Sequence, residues 1–204
     1  MVKMVIASGN AGKIRELNAR LAELKVVLIP QGELGVSDIE ETGLSFIENA
    51  ILKARHASSV TGLPALADDS GLVVDALQGA PGIHTARYAG PHANNVDNIR
   101  KLLTALRDVP ENQRGAEFHC VLAFVSHAKD PAPLVCEGKW QGRILTSPTG
   151  QDGFGYDPIF YVPSEKKSAA ELSIAIKNKI SHRGIALQSL IAQLPDKLHE
   201  CVNR

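Results

Sequence analysis

Val2-Lys3-Met4-Val5-Ile6-Ala7, followed at once by Ser8-Gly9-Asn10-Ala11-Gly12-Lys13, opens the chain as a strand, a tight corner and a helix. The first six residues are apolar except for Lys3 and read as a buried strand. Beyond the corner, Ile14, Leu17, Leu21 and Leu24 recur at helical spacing, so a helix follows directly. A glycine-bearing turn at a helix N-terminus presents backbone N–H groups with no partner inside the helix, at the positive end of its dipole. Lys13 adds a full charge. Such a corner suits an anion, a phosphate foremost. It matches neither the P-loop spacing nor GxGxxG. Taken alone, an ordinary strand–turn–helix corner accounts for it equally well.

Outward from that corner, the chain has 204 residues, enough for one domain or two closely packed lobes. Lys plus Arg and Asp plus Glu are both 22, so the formal charge is zero. That argues against a dedicated nucleic-acid or membrane-surface binder, which normally carries a basic excess. No apolar run reaches membrane-spanning length. The polar corner at Ser8 also interrupts any secretory leader, so the expected location is the cytoplasm. Cys120, Cys136 and Cys201 form no CxxC, which points to neither a disulfide framework nor a zinc site. Cys120 and Cys136 fall in strand-like runs and read as small core residues.

Val26 to Ile29 reads as a second strand closed by Pro30, and the polar stretch Gln31 to Gly43 as a loop. Ser45 and Glu48 have capping-box spacing ahead of Phe46, Ile47, Ala50, Ile51, Ala54 and Ala57, an apolar helical face. Leu63 to Ala67 and Leu72 to Leu77 are apolar runs flanking an expected turn, Asp68-Asp69-Ser70-Gly71. Gly79 to Gly90 is expected to be irregular. Val96, Ile99, Leu102, Leu103 and Leu106 mark a third helix. Phe118, Cys120, Leu122 and Phe124 alternate along a strand whose expected partner holds Leu134, Cys136 and Trp140. Ile185, Leu187, Leu190, Ile191 and Leu194 mark the last helix. Intermixed strands and helices with a late hairpin predict an α/β or mixed α+β fold.

Four further clusters bear chemistry. Asp68 and Asp69 stand between apolar runs, where neighbouring carboxylates are costly unless a cation relieves them. Hard oxygens suit Mg2+, which takes one or two carboxylates together with substrate phosphates. A solvated Asp-Ser-Gly bend is the alternative. Glu40-Glu41-Thr42-Gly43 is a second acidic pair, ahead of the helix that bears Lys53; acidic residues also favour a helix N-terminus for its dipole. Gly153-Phe154-Gly155-Tyr156-Asp157-Pro158 sets aromatics among glycines, either as a platform for a nucleobase or as a tight turn plugging the core. Lys177-Asn178-Lys179-Ile180-Ser181-His182-Arg183-Gly184 concentrates donors at the expected start of the last helix, where positive charge needs an anion or acceptor to balance it. Together these parts would bind a nucleoside triphosphate with Mg2+.

Ser8-Gly9-Asn10-x-Gly12-Lys13-x-x-Glu16, Glu41-Thr42-Gly43 through Glu48-Asn49-Ala50 and Lys53-Ala54, Asp68-Asp69-Ser70-Gly71-Leu72, Gly79-x-Pro81-Gly82, Gly153 through Pro158, and Ser181-His182-Arg183 all occur in register. In these motifs the chain closely resembles the Ham1 / RdgB-like family of inosine and xanthosine triphosphate pyrophosphatases, essentially end to end. The resemblance implies one domain over residues 1–204. Its expected fold is a long mixed sheet with flanking helices in two lobes around a central nucleotide-binding cleft. It implies Mg2+-dependent hydrolysis of dITP, ITP and XTP to the monophosphate and pyrophosphate, by a homodimer. By position, Ser8, Gly9, Asn10, Ala11, Gly12 and Lys13 would hold the triphosphate. Asp69 would be general base and metal ligand with Asp68 beside it, and Glu41 would complete the metal site. Lys53 and Ser70 would assist. Phe154, Gly155, Tyr156, Asp157, Lys177, His182 and Arg183 would hold base and sugar. One departure is Ile176, where the family leads one to expect Glu before Lys177.

On this reading Asp69 takes a proton from attacking water, while Lys13 stabilises developing charge as a catalytic group. His182 and Arg183 donate to the 6-oxygen of hypoxanthine or xanthine, where adenine carries an amino group. A non-catalytic nucleotide sensor is the competing function, disfavoured because carboxylates near phosphates hinder simple binding. A nucleic-acid-binding module is disfavoured by the neutral charge.

Overall fold

The computed structural model describes residues 2–9, 14, 17–18 and 20–202, without the side chains of 23 and 200–202. Its strands are β1 (Val2–Ala7), β2 (Val26–Pro30), β3 (Ala65–Val74), β4 (Pro81–Gly82), β5 (Gly115–Val125), β6 (Leu134–Ile144), β7 (Phe160–Val162) and β8 (Lys167–Ser168). Its α-helices include α1 (Phe46–Thr61), α2 (Asn95–Ala105), α3 (Ile174–Ile180) and α4 (His182–Val202), besides helical backbone at Ile14, Leu17, Asn18, Arg20 and Leu21. The strands pair in the order β2-β1-β3-β5-β6-β7-β8, with β4 on β3. β1 runs parallel to β2 and β3, whereas β3–β4, β6–β7 and β7–β8 are antiparallel. The sheet is therefore mixed and flanked by helices, as the intermixed pattern predicts. Residues 1–69, 120–137 and 186–204 form one compact unit, and 70–119 and 138–185 a second. Among the described residues no helix is long and apolar enough to cross a membrane.

In the first unit, strand alternation explains why β1 carries so few polar residues. Met4 and Ile6 pack with Leu17, Leu21 and the α4 residues Ala186, Leu187, Leu190 and Leu194. Val5 and Ala7 point the other way, onto Ala54 and Ala57 of α1. Both faces are covered, so both must be apolar. The small residues Ala50, Ala54 and Ala57, all fully buried, allow α1 to lie close on the sheet. Ser45 caps α1: its hydroxyl accepts from the Glu48 N–H at 3.3 Å, while the Glu48 carboxylate accepts from the Leu44 N–H at 2.9 Å. Gly62 closes the helix in the left-handed conformation.

In the second unit Leu102 of α2 and Leu106, which caps it, lie on a core containing Leu72, Val74, Phe118, Trp140, Ile144, Tyr156, Ile159, Phe160 and Val162. The stretch Gly79 to Gly90 is less irregular than its composition predicts. It contributes β4 and a 3-10 turn, Thr85–Arg87. Buried Asn98 braces it, accepting from Ala89 N–H at 2.7 Å and donating to the Ala86 carbonyl at 3.1 Å. Arg114, also buried, donates to the carbonyls of Leu106, Val109 and Leu145. A buried charge is tolerated when its donors are met in this way.

Two expectations are corrected. Asp68-Asp69-Ser70-Gly71 is not a turn, because β3 runs unbroken from Ala65 to Val74. Lys177 and Lys179 do not stand at the start of the last helix. They occupy the final turn of a separate helix, α3, where cations suit the dipole, and Ser181 caps that helix. His182 and Arg183 do open the last helix, α4.

Candidate active site

Because Asp68 and Asp69 are consecutive on a strand, their side chains leave on opposite faces of the sheet. Asp69 shares the face of Ala65 and Ala67, which α1 covers. There Lys53 Nζ donates to Asp69 Oδ1 at 2.6 Å, to Glu41 Oε1 at 3.0 Å and to the Asp68 carbonyl oxygen at 2.9 Å. One ammonium thus ties together a loop, a helix and a strand. Asp68 turns to the α4 face, where the buried Cys120 thiol donates to its Oδ2 at 3.4 Å. The strand geometry thus places the two carboxylates on separate sets of neighbours.

The electrostatics of this cluster are unbalanced. Burial pushes Asp69 up to about 6, against the opposing pull of Lys53, and the charges of Glu41 and Asp68 push the same way as burial. Burial would by itself lower Lys53, but the carboxylates of Asp69 and Glu41 outweigh it and hold the ammonium above its ordinary value. Two acids facing one base leave a local negative excess, the condition under which a further cation is welcome.

Glu41 is held in place by the chain after it. The Gly43 N–H donates to Asn49 Oδ1 at 2.8 Å, anchoring the acidic loop to α1. A Cβ at Gly43 would stand 2.6 Å from both Asn49 Oδ1 and Glu48 Cβ, so only glycine fits without rearrangement. Glu40, the neighbouring acid, is exposed.

β1 pairs with β3 in parallel up to Ala7 against Ala67, so Ser8 and Asp68 each follow the last residue of that pairing. The Ser8 N–H donates back to the Ile6 carbonyl at 2.9 Å, and Gly9 is exposed with open space around it. Asn10, Ala11, Gly12 and Lys13, with Glu16, lie outside the described residues.

The second unit gathers the other expected residues. Lys177 Nζ donates to Asp157 Oδ2 at 2.7 Å, and the same oxygen accepts from the Phe154 N–H at 3.1 Å. Gly153, at φ +90°, has no room for a side chain beside Asp157 and Lys177. Arg183 donates to Ser70 Oγ at 3.3 Å and lies 6.0 Å from the Phe154 ring centre. Phe154 is 59% exposed, whereas Tyr156 is buried and donates its hydroxyl to the Thr85 carbonyl at 3.0 Å. Burial pushes the Tyr156 phenol well up, which keeps it a neutral donor. Of the two aromatics, only Phe154 offers a face to solvent. Gly155, at φ +60°, separates them. His182 is buried against Phe118 and Trp140. Ile176 is half-buried against the unit's core, a setting in which a Glu side chain would be desolvated.

Glu41 and Asp69 fit a Mg2+ ion, since they are hard-oxygen donors converging on one cationic centre. Among the described residues no group of three or more His, Cys, Asp or Glu could hold a metal ion. Sequence reasoning missed three neighbours of the candidate residues: Cys120 beneath Asp68, and Phe118 and Trp140 beside His182. Cys120 reads as a small core residue and the two rings as strand residues, and only the pairing of distant strands reveals the contact.

Comparison with known proteins accords with this geometry. A family model described as the Ham1 family matches residues 4–193. A protein of Shigella flexneri named dITP/XTP pyrophosphatase is 60% identical over 194 residues, covering 95% of this chain and 98% of that protein. One of the same name from Vibrio cholerae is 55% identical over 197 residues, 97% of this chain and 98% of that protein. The structure of a HAM1 protein from Coxiella burnetii superposes with a TM-score of 0.90 at 52% identity, covering 98% of this chain and all of that one. The chain belongs to the Ham1 family.

Proposed function

We propose that this protein is a hydrolase of the nucleotide pool, converting the non-canonical purine triphosphates dITP, ITP and XTP to the monophosphate and pyrophosphate. The observation that carries this reading is Asp69: a carboxylate held near neutrality by burial, on one lysine with Glu41, on the strand that pairs with β1. A proton acceptor works best when its pKa lies near the operating pH. The high identity to relatives named dITP/XTP pyrophosphatase supports the substrate class.

In the proposed reaction a water oxygen attacks phosphorus, the bond to the departing pyrophosphate breaks, and the water proton passes to Asp69. Lys53 keeps Asp69 and Glu41 in position and offsets their repulsion. Ser8 and the corner after it bind phosphate through backbone N–H groups, with Lys13 supplying charge. Mg2+, held by Glu41 and Asp69, would supply charge neutralisation and alignment of the triphosphate. In the second unit the exposed Phe154 ring offers a stacking surface, Lys177 fixes its loop through Asp157, and His182 and Arg183 donate to the purine 6-oxygen. The family resemblance supports a homodimer.

Release of pyrophosphate from ITP, dITP, XTP, GTP and ATP, with and without Mg2+, tests the reading. We expect release from the first three and little from ATP, with loss of activity in a chelator. Tight binding without release would favour the sensor; equal rates on all five would overturn the substrate class.

A further inference from the structure

We infer that Phe118 and Trp140, which the proposed chemistry does not use, are positioning residues that set purine selectivity through His182. The inference rests on the reading just given, in which His182 faces the base. Phe118 comes from β5 and Trp140 from β6, strands adjacent in the sheet order. The His182 ring lies nearly parallel to both. It is 4.8 Å and 12° from Phe118, and 6.2 Å and 20° from Trp140. Phe160 is tilted against both carbocyclic rings, at 4.6 Å and 5.2 Å, and is fully buried. The stack therefore has a firm backing.

The physical consequence concerns direction. Histidine's second torsion is broad and lacks the sharp staggered wells of an aliphatic chain. Its N–H bonds lie in the ring plane, so the orientation of that plane sets the direction of donation. Hydrogen bonds weaken steeply as the donor angle falls toward 120°. A ring held flat against two others keeps its donor aimed, whereas a ring able to tilt accepts a wider set of partners. Selection of a 6-oxygen over a 6-amino group depends on that aim. Phe118, Trp140 and His182 are 7%, 6% and 8% exposed, so all three rings are fixed within the packed interior.

The test is kcat/KM for ITP and ATP, measured separately in wild type, Phe118→Leu, Trp140→Leu, His182→Ala and Phe118→Leu/His182→Ala. We expect each ring deletion to lower the ITP-to-ATP ratio about tenfold, the loss from one misdirected hydrogen bond. The double variant should lose no more selectivity than His182→Ala alone. Trp140→Phe, which keeps the core filled, should show a smaller drop; it decides the matter on the same ratio if the leucine variants do not fold. A fall in both rates with an unchanged ratio would reduce the two rings to packing and overturn the inference. So would a selective wild type whose ratio His182→Ala leaves intact. A wild type that releases no pyrophosphate from ITP would instead overturn the function on which the inference stands.

Discussion

The cluster around Lys53 and the cluster around His182 solve opposite problems. The first crowds two carboxylates onto one ammonium and buries them until Asp69 resists ionising. The second pairs one acid with one base, Asp157 with Lys177, and otherwise relies on flat rings. Strain in charge suits a centre that must exchange protons and welcome a cation. Settled charge and stacked rings suit a surface that must keep one shape while it discriminates. The difference indicates where each substitution should register: turnover for the first region, selectivity or KM for the second.

Asp69→Asn should break the comparison most severely. Removing a general base costs about 10²–10⁴ in rate, so kcat should fall by that much while KM stays close to wild type. Near-normal turnover would remove Asp69 from the chemistry.

The charge strain itself is visible as pH dependence. Asp69 ionises at about 6 in the fold against an ordinary 3.8. Between those values the folded chain holds a proton that the unfolded chain releases, so the contribution of Asp69 to stability falls as pH rises from about 4 through 6. At about 1.4 kcal/mol per pH unit, the full swing is on the order of 3 kcal/mol. Urea melts across that window, in a chelator, should show wild type losing stability relative to Asp69→Asn as pH rises. Parallel curves would contradict the assigned strain.

Lys177→Met sharpens the other side. It removes a charge-assisted bond to nearly buried Asp157, worth about 1.5–3 kcal/mol. The Phe154 loop should loosen, and KM for ITP should rise more than tenfold with kcat little changed. A kcat defect instead would assign Lys177 to the chemistry.

Cys120→Val is the mildest. It keeps the volume but deletes the donor to Asp68, a loss of about 1 kcal/mol for a buried hydrogen bond. Turnover should drop a few-fold, with Cys120→Ser closer to wild type. If serine is the worse of the two, the thiol is only filling space.

Much of the fold was legible because it depends on local pattern. The apolar run of β1 and the Ser45–Glu48 cap read correctly from neighbours a few residues away. Asp68 and Asp69 misled for a physical reason. A polar tetrapeptide resembles a turn unless its carboxylates have buried partners, and theirs stand 52 and 16 residues away, at Cys120 and Lys53. The break between α3 and α4 escaped notice because Ser181 makes it without glycine or proline. The stack on His182 was hidden for a similar reason, since its rings come from separate strands.

Gly43 has a bearing on protein engineering. Its missing side chain lets Asn49 grip the acidic loop, and that grip sets where Glu41 meets Lys53. Anyone transplanting the carboxylate–lysine arrangement into another scaffold would have to carry the glycine and the asparagine along with it. The charged residues alone would arrive without the hinge pin that aligns them.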